Sequence, residues 1–221
     1  PDQAGFGVYS VALAFVDRSI QQFVSFVLVS SMSELFEKPL WTHLPTDQQW
    51  PLAVFNVNCE GCARLAEFHH SNRVKFPDHF NGPVPPFGAE KASLLIVGLA
   101  PGLHGANRTG RPFTGDFCGD LLYSTLNACG FASAPQSVSV GDGLQLINAR
   151  VSNAVKCVPP ENKPTPAEIR ICNSHLKAEL MQYPPRAVLA LGTVAHQAVV
   201  MALELKQSQF KFGHAAQHEL G

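Results

Sequence analysis

Ser93-Leu-Leu-Ile-Val-Gly98 runs without a break into Leu99-Ala-Pro-Gly-Leu-His-Gly-Ala-Asn-Arg-Thr-Gly-Arg-Pro-Phe-Thr-Gly-Asp116. The first six residues form a short continuous apolar run, the pattern of a strand buried on both faces of a parallel sheet. The glycine-rich run reads as a loop, and residues 116–129 read as a helix with Leu121, Leu122 and Leu126 on a shared face. A second strand is expected around residues 144–149 and a third over 187–192. Between them a helix spans roughly 166–181, with Thr165 as its N-cap and Glu168 three residues on. Another helix follows Thr193 and includes residues 195–205. Strand and helix in alternation imply an α/β fold, a three-layer α/β/α arrangement around a central parallel sheet, with ligands at the carboxyl ends of the strands. The loop after Gly98 and residues 153–160 both follow strand ends, so they meet at one crevice.

Working outward, Cys59 and Cys62 are spaced C-x2-C and are answered downstream by Cys157 and Cys172. Four thiolates at such spacings suit a tetrahedral zinc or an iron–sulfur cluster, and the ligand set alone does not separate the two. Six cysteines in 221 residues need not be disulfide staples in a chain able to bury an ordinary core. With no cleavable signal sequence evident, reduced thiols in a cytoplasmic protein are expected. Cys118 and Cys129, within the helical segment, are assigned to packing.

Composition sets wide bounds. The chain is 46% apolar and 15% charged with a formal net charge of -1, which argues against general disorder and gives no global attraction to a polyanion. A nucleic-acid partner must be held by a local patch. Arg108 and Arg111 lie in the loop, and Arg150, Lys156 and Lys163 surround Cys157, so basic residues cluster around the candidate site or form a solvated face. The stretch from residue 8 to 29 is rich in Val, Phe and Ala, but Asp17, Arg18, Gln21 and Gln22 make it too polar for a membrane span. Residues 1–31 are expected to be an extension outside the core, and 32–221 the functional domain. Segments 39–51 and 77–88, rich in Pro and polar residues, are expected as irregular surface connections.

The loop is neither a Walker A motif nor a Rossmann fingerprint, which need other glycine spacings. Its content is distinctive in combination. Gly98, Gly102 and Gly105 allow close backbone approach, Asn107 and Arg108 are donors, Phe113 is a stacking face and Asp116 a carboxylate. In this combination residues 98–116 resemble the first active-site motif of the uracil-DNA glycosylase superfamily, specifically its iron–sulfur-containing family 5. Asn153-Ala-Val-Lys-Cys157-Val-Pro-Pro-Glu-Asn-Lys163-Pro is similar to the family segment in which a cluster cysteine follows a base-contacting asparagine. Cys172 falls where the last ligand is expected, and residues 210–221 also resemble the family, so the likeness spans approximately residue 50 to the end.

The resemblance implies hydrolysis of the N-glycosidic bond of uracil, and of some other deaminated bases, in DNA. It implies a [4Fe–4S] cluster on Cys59, Cys62, Cys157 and Cys172, structural because hydrolysis needs no redox step. Phe113 would stack on the extruded base and the Asn153 amide would read its edge. Gly98, Leu99, Ala100, Pro101, Gly102 and Gly105 would line the base and hold the departing anion through backbone amides. Asp116 would orient or deprotonate water and stabilise the cationic sugar, although Asp at a helix start is also a good N-cap. His104 is the second catalytic candidate, donating toward base or phosphate, or bracing the loop. Leu99 stands where relatives of another cluster-bearing family carry an acidic residue, which adds weight to Asp116.

One departure stands out. The family carries a His-Pro-Ser type loop near its carboxyl end, and the sequence reaches Gly221 without it. His214 and His218 lie in the segment preceding that loop; neither is followed by Pro-Ser, so neither takes its role. The expectation is a C-terminally incomplete domain, a fragment of a longer enzyme in preference to a natural truncation with crippled activity, whose last strand is missing and whose bare sheet edge lowers solubility. The expected partner is DNA carrying uracil or another deaminated base, engaged by a monomer with no membrane involved. The competing classes are a non-catalytic zinc or iron–sulfur nucleic-acid-binding module and a cluster-dependent electron carrier, neither of which needs the long glycine loop.

Overall fold

The computed structural model describes residues 24–28 and 55–220. Strands β1 (Val24–Leu28), β2 (Phe87–Gly88), β3 (Leu94–Gly98), β4 (Ala149–Asn153) and β5 (Ala187–Leu191) form one sheet in the order β1-β5-β3-β4-β2, with β3 at its centre. Both neighbours of β3, β4 and β5, run parallel to it. The edges are antiparallel: β1 pairs with β5, and the short β2 pairs with β4.

Alternation along β3 shows why helices cover both faces. Leu95 and Val97 point to one side, where they pack with Val188, Ala190, Leu176, Leu180, Ala195 and Val199. Ile96 points to the other, against Tyr123, Leu126, Leu146 and Val151. The first layer is built by α4 (Pro166–Gln182) and α5 (Thr193–Ala202), the second by α3 (Phe117–Ala128). Among the described residues, helices α1 (Ala63–Lys75) and α2 (Ala106–Thr109) complete the set. The α/β class and helix-covered parallel core agree with the sequence reading. Among the described residues no helix is long and apolar enough to cross a membrane.

Helix α4 starts as its sequence dictates. The Thr165 side chain accepts from the Glu168 N–H, and the Glu168 carboxylate accepts from the Thr165 N–H at 2.7 Å, a reciprocal capping box followed by Pro166 at the first position.

Other boundaries differ from expectation. The second strand begins at Ala149 rather than ending there, because Asn148 takes a left-handed backbone (φ 53°) and its Oδ1 accepts from the Ser93 N–H. The strand hides in the sequence because Arg150 and Ser152 are polar. Both are buried or nearly so and both bond the Glu179 carboxylate at 2.7 Å, with Lys156 joining the same group. Helix α5 stops at Ala202, and residues 203–205 leave it where Glu204 turns left-handed. Residues 81–84 are not an irregular surface connection but buried, with Val84 1% exposed. On α3 the buried face carries Gly119, Tyr123 and Leu126, with Leu122 beside it and Leu121 outside the cluster. Cys118 is exposed, so it does not pack as expected, and Cys129 is half-buried at the C-cap.

The segment expected to lie outside the core contributes β1. Its register, Val24 opposite Leu191 to Leu28 opposite Ala187, covers the edge of β5 that faces away from β3. An open edge beside a buried strand exposes unpaired backbone groups, so covering it stabilises and solubilises the sheet. The rest of residues 1–31, and 39–51, lie outside the described residues. Deleting residues 1–31 is expected to lower the thermal unfolding midpoint and promote association in light scattering; an unchanged midpoint in a monomeric truncated protein would remove β1 from the fold.

Candidate active site

The parallel register sets Gly98, the last residue of β3, opposite Asn153, the last of β4. Gly98 is buried, and a Cβ there would come within 2.4 Å of Phe113 Cζ and 2.7 Å of Asn153 Oδ1. The aromatic ring and the amide therefore lie side by side over a position that only glycine fits. Phe113 reaches it from a left-handed backbone (φ 56°), an unusual state for an aromatic residue. The turn is supported from below: a Cβ at Gly119 would sit 2.0 Å from the Phe113 carbonyl oxygen, so α3 packs its glycine directly under it. The Tyr123 hydroxyl donates to the Pro112 carbonyl at 2.8 Å from within the core.

Asp116 is the N-cap of α3, its Oδ1 accepting from the Gly119 N–H at 2.8 Å. The other oxygen, Oδ2, faces the glycine loop, 3.8 and 3.5 Å from where Cβ atoms of Gly102 and Gly105 would be. Capping and an outward-facing carboxylate oxygen are thus compatible in one residue. Within the loop the Gly102 carbonyl accepts from the Gly105 and Asn107 N–H groups. Among the described residues the N–H groups of Ala100, Gly102, Leu103 and His104 have no acceptor, so the loop presents free donors. Pro101 has no N–H to add and is buried.

His104 is exposed, with Nδ1 3.4 Å from His79 Nε2 and its ring edge-on to Phe76. Burial, then His104 and Arg108, hold the His79 ring below the usual histidine range. Arg108 is exposed and its Nε donates back to the His104 carbonyl at 2.9 Å. Asn107 is not a donor toward the cleft: it is fully buried, and its Nδ2 donates to Asn81 Oδ1 at 3.0 Å. Asn81 in turn ties Phe76 and His79 through their carbonyls. Sequence reasoning missed His79 and Asn81. The Asn81-Gly82 dipeptide was a usable turn signal, since Asn81 takes the left-handed backbone (φ 48°) that Asn tolerates.

All four cysteines of the predicted quartet line one cavity, together with Phe55, Leu65, Lys156, Ile171 and His175. Cys62 is the N-cap residue of α1, Cys172 lies in α4, and Cys157 follows β4 by four residues. The Lys156 N–H donates to Cys172 Sγ at 3.2 Å. Burial, then the neighbouring Cys172, pushes the Cys62 thiol up to about 11; burial also raises Cys157 and Cys172. Crowded thiols of this kind give up their protons when a cation sits between them, so the donor set fits a thiolate-bound metal. Among the described residues no three His, Cys, Asp or Glu side chains are arranged to hold a single metal ion. The cavity abuts the glycine loop. Ala154 N–H donates to the Gly98 carbonyl (2.8 Å), Val155 N–H to that of Leu99 (3.0 Å), and Ala100 packs against Val155, Cys157 and Cys172.

Comparison with known proteins meets this geometry. The model of the uracil DNA glycosylase superfamily matches residues 85–217, the span that carries β3, the loop, Asn153 and two of the four cysteines. The chain belongs to the uracil-DNA glycosylase superfamily. It is 46% identical over 168 residues to the type-5 uracil-DNA glycosylase of Thermus thermophilus, covering 73% of this chain and 76% of that one. It is 42% identical over 161 residues to the type-5 enzyme of Pyrobaculum aerophilum, 71% of each chain. The type-4 uracil-DNA glycosylase of Archaeoglobus fulgidus is 32% identical over 124 residues, covering 56% of this chain and 55% of that one.

Within this superfamily framework the basic residues divide differently from the sequence expectation. Arg111 is buried, not a surface cation: it donates to Asp142 Oδ1 at 2.5 Å, to Ser137 and to the Val140 carbonyl, and stacks on Phe87. Lys156 and Arg150 are spent on Glu179. Arg108, in the loop, and Lys163, whose Nζ lies 3.5 Å from Glu161 Oε2, are exposed.

Because the site is closed by van der Waals contact at Gly98, Gly98→Ala is expected to destabilise the protein by about 1–3 kcal/mol in urea unfolding, the usual cost of overpacking. A wild-type unfolding midpoint for that variant would show that the ring and amide are not held there.

Proposed function

We propose that the chain hydrolyses the N-glycosidic bond of uracil and related deaminated bases in DNA, leaving an abasic site. The observation that carries this reading is the meeting of the Phe113 ring and Asn153 amide over Gly98, with Asp116 Oδ2 turned to the same loop. The type-5 relatives bear the name of that activity.

A base lifted out of the duplex offers a π face and a polar edge. Phe113 stacks on the face, and the Asn153 amide supplies one donor and one acceptor to the edge. As the bond breaks, negative charge moves onto the base and positive character onto the sugar. The free N–H groups of the loop hold the first, fixed in place before the reaction and so costing no reorganisation. The Asp116 carboxylate stabilises the second and orients the attacking water through Oδ2, while Oδ1 stays tied to Gly119. Arg108 and Lys163 suit contacts to DNA phosphates.

Asp116→Asn separates the two jobs of this residue, since Asn caps a helix as well as Asp but carries no charge. Abasic-site formation from a uracil-containing oligonucleotide is expected to slow by about 100-fold or more with no loss of thermal stability. Equal rates in variant and wild type would remove Asp116 from the chemistry, and a wild type that binds the oligonucleotide without cleaving it would reduce the chain to a binding module.

For the cysteine cavity the proposed occupant is a [4Fe–4S] cluster held by Cys59, Cys62, Cys157 and Cys172. Zinc places all four sulfurs about 2.3 Å from one point. Here the four thiols line one cavity, and it is the resemblance to the iron–sulfur-containing family 5 that favours the cluster over a single zinc. Its contribution is structural, joining the start of α1 to α4 and to the chain behind Asn153. Protein purified without oxygen is expected to be coloured and to contain iron; colourless protein with one zinc per chain would reverse the assignment.

A further inference from the structure

Cys62 and Cys172 come from α1 and α4, helices far apart in sequence. What joins these helices beside the cavity is a two-pronged ion pair: Arg64 Nε and Nη2 donate to Glu168 Oε1 and Oε2, each at 2.7 Å. Arg64 lies two residues past Cys62 in the first turn of α1. Glu168 lies four residues before Cys172 and so shares its face of α4. The pair therefore spans the same two helices as the two thiols, about one turn away.

Glu168 is fully engaged. Its Oε2 also accepts from the Thr165 N–H at 2.7 Å, and its side chain is 7% exposed. Arg64 adds a bond from Nη2 to the Lys163 carbonyl at 3.2 Å, gripping the chain that enters α4. Leu65 and Ile169, each adjacent to one partner, pack with Cys157 and Cys172. Such a fork of charge-assisted bonds fixes orientation as well as distance.

We propose that Arg64 and Glu168 are positioning residues for the metal centre, a clamp that holds Cys62 against Cys172 and sets the width of the cavity before the metal arrives. The proposal rests on the cofactor reading above. It is local to these helices and makes no use of the base pocket.

The test compares wild type, Arg64→Met, Glu168→Gln and the double variant, purified without oxygen, by metal content per chain and by the rate of metal release to excess chelator. Far-UV circular dichroism establishes helix content in each. Gln keeps the size of Glu168 and an oxygen for the cap, and Arg64 is 42% exposed, so both single variants retain helix content. Release is expected to be about 10-fold faster in each single variant, the usual cost of losing a group that orients a ligand, and the double variant no faster than either, because one interaction is lost in all three. A metallated wild type whose variants hold metal equally well, or a double variant whose losses multiply, overturns the clamp alone. A wild type with no metal on these cysteines overturns the cofactor reading and the clamp with it.

Discussion

The parallel pairing of β3 with β4 is the constraint from which the rest of the site follows. It sets Gly98 against Asn153 and is extended past the strand ends by the bonds from Ala154 and Val155 to the Gly98 and Leu99 carbonyls. The strands end together, so the glycine loop and the chain leading to Cys157 leave the sheet from the same place and remain tied. A slip of one residue would turn Asn153 to the opposite face and bring Ser152 to the glycine. The apolar alternation of β3, with Leu95 and Val97 on one side and Ile96 on the other, fixes the register on which this depends.

From that junction two structures grow in opposite directions. On one side, the Phe113 ring lies over Gly98 beside the glycine loop, with Gly119 beneath its turn and the buried Arg111, paired with Asp142, two residues before it in the chain. Burial favours the neutral form of Asp142, but hydrogen bonds from the Leu144, Val138 and Ser139 N–H groups and from Arg111 outweigh it and keep the carboxyl well below the usual range. Behind the junction, the Arg150–Glu179–Lys156 network and the cysteine cavity brace β4. Asn153 is thus held between two hydrogen-bonded regions, which suits the base-reading role proposed for it.

How much of this the sequence disclosed depends on whether the signal was local. The apolar run of β3, the Thr165 capping box and the Asp116 cap announce themselves within a few residues, and the structure has all three. Strand β4 did not, because Arg150 and Ser152 are paired to Glu179 in a distant helix, and a polar residue looks exposed until its partner is known. The same long-range pairing explains the basic residues: Arg111, Arg150 and Lys156 read as a surface patch, yet each had a carboxylate waiting elsewhere in the chain. Asn107 looked like a ligand donor for want of Asn81, and the Arg64–Glu168 pair, 104 residues apart, left no trace in spacing. The cysteine quartet was picked out by its spacing and Phe113 and Asn153 by resemblance to a family; the structure sets the four thiols around one cavity and the ring and amide over Gly98. The role of Val24–Leu28 was missed because a single edge strand has no periodicity to separate it from a tail.

The most direct test of the account is a structure of the Asp116→Asn chain bound to uracil-containing DNA. The account predicts an extruded uracil lying flat on the Phe113 ring, its edge on the Asn153 amide and its outer oxygen toward the loop N–H groups. A base left stacked in the duplex, or lodged at a pocket away from Gly98, would contradict it.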